Sequence, residues 1–472
     1  MSDSARAEST GSRSTLYTAD WVLPVASPAL PQGAVLVQDG RVAWLGPQQA
    51  APQGDRVRRV ELGACVLMPG LVNAHSHLEL TLLRGCLEGL DFRDWLRAIT
   101  LLRREVLQAE DLLDAARVGV LEGLRHGITT YGDATDSAWP LTAMRDLGVR
   151  GIGYVEVFGP DAANRDEAIT GLRNRVAALR AEDTALVRTG VSPHAPYTVS
   201  AELFRAVADY AVHEQLPVAV HVAESLAETD FVVRGAGPFA DRLRARGIAV
   251  HARAESPVAL LDDTGLLRAR PLLVHAVHVS DDDLARVSAH GAGIVHCPIS
   301  NAKLGQGVAP LDRMLARGLR VGLGSDSVVS NNRMHLLEEA RQAVLQHALR
   351  AERADSLAAA DALRLATLGG AEAMGMDGQV GAIAVGMEAD LAAFPLPATL
   401  GPVYDPAVTL VHALAGQALA TLVCVAGREL IRDGHVTGDT AVRQDGWYAR
   451  QRSAGARVTT QLAQWRGQVP SW

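Results

Sequence analysis

His75 and His77 lie one residue apart at the end of an apolar segment, Met68-Pro-Gly-Leu-Val-Asn-Ala-His-Ser-His77. On an extended backbone, side chains i and i+2 share a face, so both imidazoles point the same way. Two convergent imidazoles suit a divalent metal. An H-x-H pair alone is also common among solvated neighbours, so the reading depends on further ligands at the ends of other strands. Such groups recur as Ser192-Pro-His194-Ala-Pro-Tyr197, His221-Val-Ala-Glu224, His275-Ala-Val-His278 and Gly324-Ser-Asp326-Ser327. An apolar core has no use for histidines and a carboxylate at corresponding strand ends, because unpaired buried polar groups are costly. The economical assignment is a mononuclear site: His75, His77, His221 and Asp326 as ligands, with one position open to water. This mixed N/O set suits Zn2+, or Fe2+, better than Mg2+ or Ca2+. Such a cation lowers the pKa of its water toward neutrality. Glu224, three residues after His221, is placed to carry a proton from that water to a leaving nitrogen. His275 can hydrogen-bond the nucleophile and polarise the substrate, and Asp326 can share the proton work.

The elements that must position these residues are short apolar runs separated by amphipathic stretches. The runs are Val66–Asn73, Ile128–Asp133, Gly151–Val157, Leu186–Ser192, Pro217–Val222, Pro271–Ala276, Ala292–Cys297 and Leu319–Gly324. Helical stretches between them include Ala109–His126, Asp166–Ala181, Ala201–Glu214, Asp281–His290 and Pro310–Arg317. Eight such units predict an α/β fold, a (β/α)8 TIM-type barrel over residues 67–380, with its site at the C-terminal strand ends. Residues 15–66 and 381–440 alternate in short strand-like pieces with Asp-Gly turns at Asp39-Gly40 and Asp433-Gly434, which predicts one composite β-sandwich domain from both chain ends. Residues 441–472, with Trp447, Trp465 and Trp472, read as a helical tail, and Met1–Ser14 as a disordered start without the apolar region of a secretory signal.

Composition narrows the classes further. The chain has 472 residues and 48% hydrophobic content, with a formal net charge of −8 and no basic block, which argues against a nucleic-acid surface. No apolar run approaches the roughly 20 residues that span a bilayer. Cys65, Cys86, Cys297 and Cys424 are scattered without a C-x-x-C pair, so a reducing cytoplasm is the expected setting. Lys303 is the only lysine, leaving 44 of the 45 basic residues as arginine. Two-metal barrels generally bridge their ions through a carboxylated lysine on strand 4; Lys303 follows strand 7. A lysine bridge is thereby excluded, a glutamate bridge is not, and one metal is favoured. His213-Glu214 meets Pro217 where H-E-x-x-H needs histidine, and the small zinc-deaminase signature, a G-x-S-x-G elbow and a P-loop are all absent. Histidines 126, 213, 251, 290, 296, 335, 347, 412 and 435 lack a comparable strand-end context and read as surface or satisfied core residues. Asp281-Asp-Asp283 reads as a helix N-terminal cluster.

These residues, in this order, resemble the amidohydrolase superfamily. The likeness runs from Pro69-Gly-Leu-Val-Asn-Ala-His-Ser-His77 through His275-Ala-Val-His278 and His296-Cys-Pro-Ile-Ser-Asn-Ala-Lys-Leu-Gly305 to Gly324-Ser-Asp-Ser-Val-Val-Ser-Asn-Asn332. Within it, the chain is similar to the branch of adenosine-type, S-adenosylhomocysteine and aminofutalosine deaminases, triazine hydrolases and guanine deaminases. The resemblance implies the same four ligands, Glu224 as general acid/base, His275 as the strand 6 histidine, and His194 near a ribose or ring edge. Glu79, Arg104, Glu105, Asn301 and Lys303 join His194 as candidate substrate contacts, although Glu79 also reads as a salt-bridge partner and Lys303 as a solvated cation. In the S-adenosylhomocysteine deaminases a tryptophan is followed nine residues on by a ribose-binding glutamate. Here Trp95 leads to Arg103-Arg104-Glu105, one position off, which puts that clamp in doubt. The segments at His77-Leu-Glu79-Leu and Gly324-Ser-Asp-Ser look more like the aminofutalosine branch, whose benzoate would suit arginines at 84, 103 or 104.

The expected activity is hydrolytic deamination of an aminopurine nucleoside. The alternatives are chloride or amine release from a triazine-like ring, guanine deamination, cyclic-amide hydrolysis, or a non-catalytic scaffold, which should have lost ligands. The expected partner is a small molecule, without nucleic acid or membrane, and the expected assembly is a homodimer.

Overall fold

A computed structural model describes residues 14–465. The expected tail residue Trp472 and all of the expected disordered start except Ser14 lie outside them; Ser14 begins a strand.

Eight parallel strands surround the site. The first four, β6 (Leu71–Ser76), β7 (Ile128–Thr135), β8 (Arg150–Val157) and β9 (Val187–Pro193), form one sheet; β10 (Ala219–Val222), β11 (Leu272–His275), β12 (Gly293–His296) and β13 (Arg320–Leu323) form the other. Two parallel bridges join them into a barrel: Val191 with Val218 on one seam, and Ser76 with Asp326 on the other. On the second seam the Asp326 amide donates to the His75 carbonyl at 3.0 Å. Every residue of β7 and β8 is buried, as strands covered on both faces require. Helices Ala109–Arg125, Arg165–Arg180, Ala201–Glu214 and Asp281–His290 pack outside, close to the expected ranges. Ser280 and Asp283 form a reciprocal capping box on the last of these, which accounts for the acidic run there.

One expected strand divides. The apolar run Val66–Asn73 is continuous in hydropathy, but Pro69-Gly70 separates β5 (Cys65–Pro69) from β6. Strand β5 belongs to a nine-stranded sheet with β1 (Ser14–Val22), β2 (Leu30–Gln38), β3 (Arg41–Pro47), β4 (Val57–Glu61), β14 (Leu391–Pro395), β15 (Leu422–Val425), β16 (Arg428–Arg432) and β17 (His435–Val436). The two chain ends meet where β5 pairs antiparallel with β14. Both Asp-Gly turns are two-residue hairpin loops with positive φ at each position (49° and 82°; 50° and 76°), the geometry that favours this dipeptide. The sheet is fastened to the barrel by Arg150 on β8, which donates to Asp390 through Nε and Nη2 at 2.9 and 3.0 Å, both residues being buried.

The C-terminal helix spans Gly438–Trp465 and lies along helix Ala109–Arg125, with Arg450 paired to Asp114, Arg457 to Asp111, and Arg117 against the Trp447 ring.

Candidate active site

The C-terminal strand ends bring the expected ligands together. His75 is on β6, His77 follows it, His221 is on β10, and Asp326 follows β13. Asp326 Oδ1 lies 3.3 Å from His75 Nε2 and 3.5 Å from His77 Nε2. The His75 ring is 4.9 Å from those of both His77 and His221, and His77 and His221 face each other at 5.5 Å with planes 8° apart. Gly324 permits this approach, since a Cβ there would come within 2.8 Å of the His75 Cβ.

Neighbouring groups set the tautomers and the free atoms. His221 Nδ1 is bonded to the His194 carbonyl at 3.0 Å; only a ring N–H can donate there, which leaves Nε2 to face the site. His75 Nε2 is buried with no hydrogen-bond partner. Asp326 Oδ2 accepts from Ser300 Oγ at 2.5 Å and Ser330 Oγ at 3.2 Å, leaving Oδ1 turned to the imidazoles. Burial pushes the Asp326 carboxyl up, but the close approach of His75 and the other surrounding imidazoles more than offsets this and holds it well below the carboxylate range. Burial, then neighbouring histidines, holds His221 well below its ordinary value, and burial lowers His77 to about 3. Three imidazoles and an ionised carboxylate, with unfilled atoms converging, would suit a divalent ion as ligands. The described residues therefore form a His/Asp metal-binding group.

Glu224 stands on the loop after β10, buried, with Oε1 3.7 Å from His275 Nε2. Burial, followed by the Asp326 and Glu228 charges, raises its carboxyl well above the usual range. The fully buried Glu228 accepts the Ala223 and Glu224 amides at 2.8 and 3.0 Å and so pins the turn that carries Glu224. Positive φ recurs at three strand ends of the site: Ala223 in that turn, His275 and Ala276 at the end of β11, and Asp326 after β13 have φ of 53°, 74°, 46° and 56°. Non-glycine residues held there cluster at functional sites. His275 Nδ1 is bonded to Asn301 Oδ1 at 2.9 Å, and burial lowers its ring to about 4.

These groups open into a cavity of about 1150 Å³. Its walls include Phe92, Trp95 and Ile99 from helix Phe92–Glu105, with Phe239 and Leu243 from helix Pro238–Ala245. His194 lines it, as do Glu79 and Arg104. Glu79 is also held by Arg103 at 2.6 Å and by Ser137, so it is an ion-pair partner on the cavity wall; burial raises it to about 6. Three expected contacts stand elsewhere. Glu105 is exposed beyond the cavity wall, Asn301 is behind it supporting His275, and Lys303 is tied to Glu88 at 2.7 Å and Asn332 Oδ1 at 2.9 Å. Arg84 pairs with Glu122, outside the wall. Three acids outside the expected set, Glu156, Asp136 and Glu228, also belong to the site. The first two follow the rule that polar residues at barrel strand ends face the site; the third is an acid four residues after Glu224 whose role appears only through backbone bonds.

A parallel barrel with such a donor group and a buried acid beside it defines the metal-dependent hydrolase class of barrel. The chain belongs to the amidohydrolase family, whose model matches residues 66–430. It is 35% identical over 413 residues to a 5-methylthioadenosine/S-adenosylhomocysteine deaminase of Nitratidesulfovibrio vulgaris, covering 86% of this chain and 89% of that one. An adenosine deaminase of Xanthomonas campestris, solved with bound zinc, superposes with TM-score 0.83 at 30% identity over 94% of this chain and 98% of that chain. An aminofutalosine deaminase of Helicobacter pylori shares the fold, with TM-score 0.77 at 20% identity over 88% of this chain and 100% of that chain. Among the described residues no helix is long and apolar enough to cross a membrane.

Proposed function

We propose that the chain is a hydrolytic deaminase of adenine nucleosides, working with one zinc ion held by His75, His77, His221 and Asp326. The observation that carries this reading is the convergence of those four side chains beside the buried Glu224, in a chain similar to a zinc-bound adenosine deaminase. The ion supplies a charge that makes water a nucleophile at neutral pH. Glu224 takes the proton from the attacking water and passes it to the nitrogen that leaves as ammonia. His275 hydrogen-bonds the incoming oxygen through Nε2, its ring fixed from behind by Asn301. Asp326 remains ionised, oriented by Ser300 and Ser330.

Glu79 and Arg104 contact the distal part of the substrate in this reading, and the aromatic wall receives its apolar portion. Cytoplasmic residence is supported by the four unpaired cysteines. A homodimer is supported by Leu345 and Leu349, exposed one helical turn apart on helix Leu336–Ala351, and light scattering tests it.

The deciding experiment measures ammonia release from adenosine, 5′-methylthioadenosine, S-adenosylhomocysteine and aminofutalosine, with guanine and an aminotriazine as outgroups. Turnover confined to adenine nucleosides supports the reading, and silence on all of them overturns it. Glu224→Gln should keep its metal and its fold while losing about 100-fold or more of kcat.

A further inference from the structure

Glu156 is the penultimate residue of β8, a strand that gives nothing to the proposed ligand set. Its side chain is 5% exposed and lines the cavity, yet its Oε1 has no hydrogen-bond partner among the described residues. His194 Nε2 is 3.9 Å away, beyond hydrogen-bond reach. A buried carboxyl left in this state costs stability unless an occupant of the cavity completes it.

Two kinds of occupant fit such a group, a cation or a polar edge of the substrate. Glu156, His194 and His221 do present donor atoms within 4.8 Å of one another, the spacing of a metal site. But His221 Nδ1 is committed to the His194 carbonyl, leaving one nitrogen, which already belongs to the group around His75. One imidazole nitrogen cannot hold two ions, so a second cation would keep only two protein ligands, fewer than such sites use.

The hydrogen-bond polarity of the pair favours the substrate. Thr198 Oγ1 donates to the Ala195 carbonyl at 3.1 Å, so the His194 Nδ1 that meets it at 2.8 Å is the N–H donor. His194 Nε2 is therefore an acceptor. Resting on the deaminase reading, we propose that Glu156 and His194 form a donor–acceptor pair that grips the edge of adenine carrying N7 and the exocyclic amine. The Glu156 O–H donates to N7, and the amine donates to His194 Nε2. Burial, then the Asp136 charge, pushes the Glu156 carboxyl well above the usual range, the direction that favours an O–H donor. The pair sits within a few ångströms of His221, where the reacting carbon of the ring must stand. The ribose and its substituent lie further out, against the aromatic wall.

The test is a cycle of enzyme and substrate changes, with kcat/KM as the readout for adenosine, 7-deazaadenosine and 3-deazaadenosine. Wild type should lose activity on removal of N7, and Glu156→Leu should lose about tenfold on adenosine with no further loss on the 7-deaza compound. The 3-deaza penalty should be equal in both enzymes. Glu156→Gln, whose amide still donates, should stay within about threefold of wild type. Additive losses from Glu156→Leu and 7-deaza would overturn the pairing while leaving deamination intact. A Gln variant as impaired as the Leu variant, or two equivalents of metal in wild type falling to one in Glu156→Leu, would replace it with a cation. Wild type inert on every adenine nucleoside would overturn both readings together. Thermal melts of each variant separate loss of folding from these outcomes.

Discussion

Asn301 Oδ1 meets His275 Nδ1 at 2.9 Å from behind the cavity wall, and this fixes which nitrogen of His275 faces Glu224. The amide oxygen can only accept, so Nδ1 carries the proton and Nε2 presents its lone pair inward. Replacing Asn301 with leucine frees the ring to rotate and to change tautomer, and kcat should fall about 10- to 100-fold. Asn301→Asp retains an acceptor and should lose less. Equal losses in the two variants would show that packing, not the acceptor, matters.

Metal analysis should find close to one equivalent of divalent ion per chain in the active protein. Chelation should abolish turnover and zinc should restore it. His75→Ala should lower metal content, since His75 Nε2 is buried and otherwise unpartnered. A fully active, metal-depleted enzyme would contradict the site.

Arg150 and Asp390 join the barrel to the nine-stranded sheet, and Asp390 also accepts the Ala426 amide at 2.7 Å. Asp390→Ala leaves a guanidinium buried without its main counter-charge, which should destabilise the fold by about 3 kcal/mol. Exchanging both residues for apolar ones of similar volume should cost less. Denaturant titration compares the two, and equal destabilisation would mean the pair does not act as a unit.

His335 gives a pH prediction away from the catalytic groups. It is buried, stacks on His126 at 4.2 Å, and neither ring nitrogen has a hydrogen-bond partner among the described residues. The sequence context predicts a surface or satisfied core histidine; its nitrogens are instead left unsatisfied. Burial, then the His126 charge, lowers its pKa to about 3, against an ordinary value of 6.5. Between those values the unfolded chain binds a proton that the folded chain does not. The contribution of the neutral ring is therefore whole above pH 6.5 and lost as pH falls toward 3, by up to about 1.4 kcal/mol per unit. His335→Phe should narrow the stability difference between pH 7.5 and pH 5. An unchanged difference would place the acid sensitivity elsewhere.

Much of this was legible in the chain because the chemistry lies at strand ends. His75, His77, His221 and Asp326 belong together on sequence grounds, since eight apolar runs predict a barrel and a barrel puts all those strand ends on one face. Hydropathy could not show that Val66–Asn73 serves two sheets, because both halves of the run are equally buried and only the turn at Pro69-Gly70 parts them. Glu156 was hidden differently: in Tyr154-Val-Glu156-Val157 it sits among buried apolar neighbours with no second histidine or acid to mark it. Asn301 and Lys303 lie in a recognisable segment, but their partners, His275 and Glu88, are distant in sequence, so their roles depend on the folded arrangement.

The barrel is two four-stranded sheets joined by one parallel bridge at each seam, and the proposed ligands divide evenly between them. His75 and His77 come from the first sheet, His221 and Asp326 from the second. A bound ion is therefore a clasp across the Ser76–Asp326 seam as well as a reagent. The same ion that activates water would hold two half-barrels in register, so metal supply would set the mechanical integrity of the protein along with its rate. Amide exchange along β6 and β13 should quicken on chelation well before the sheet interiors respond.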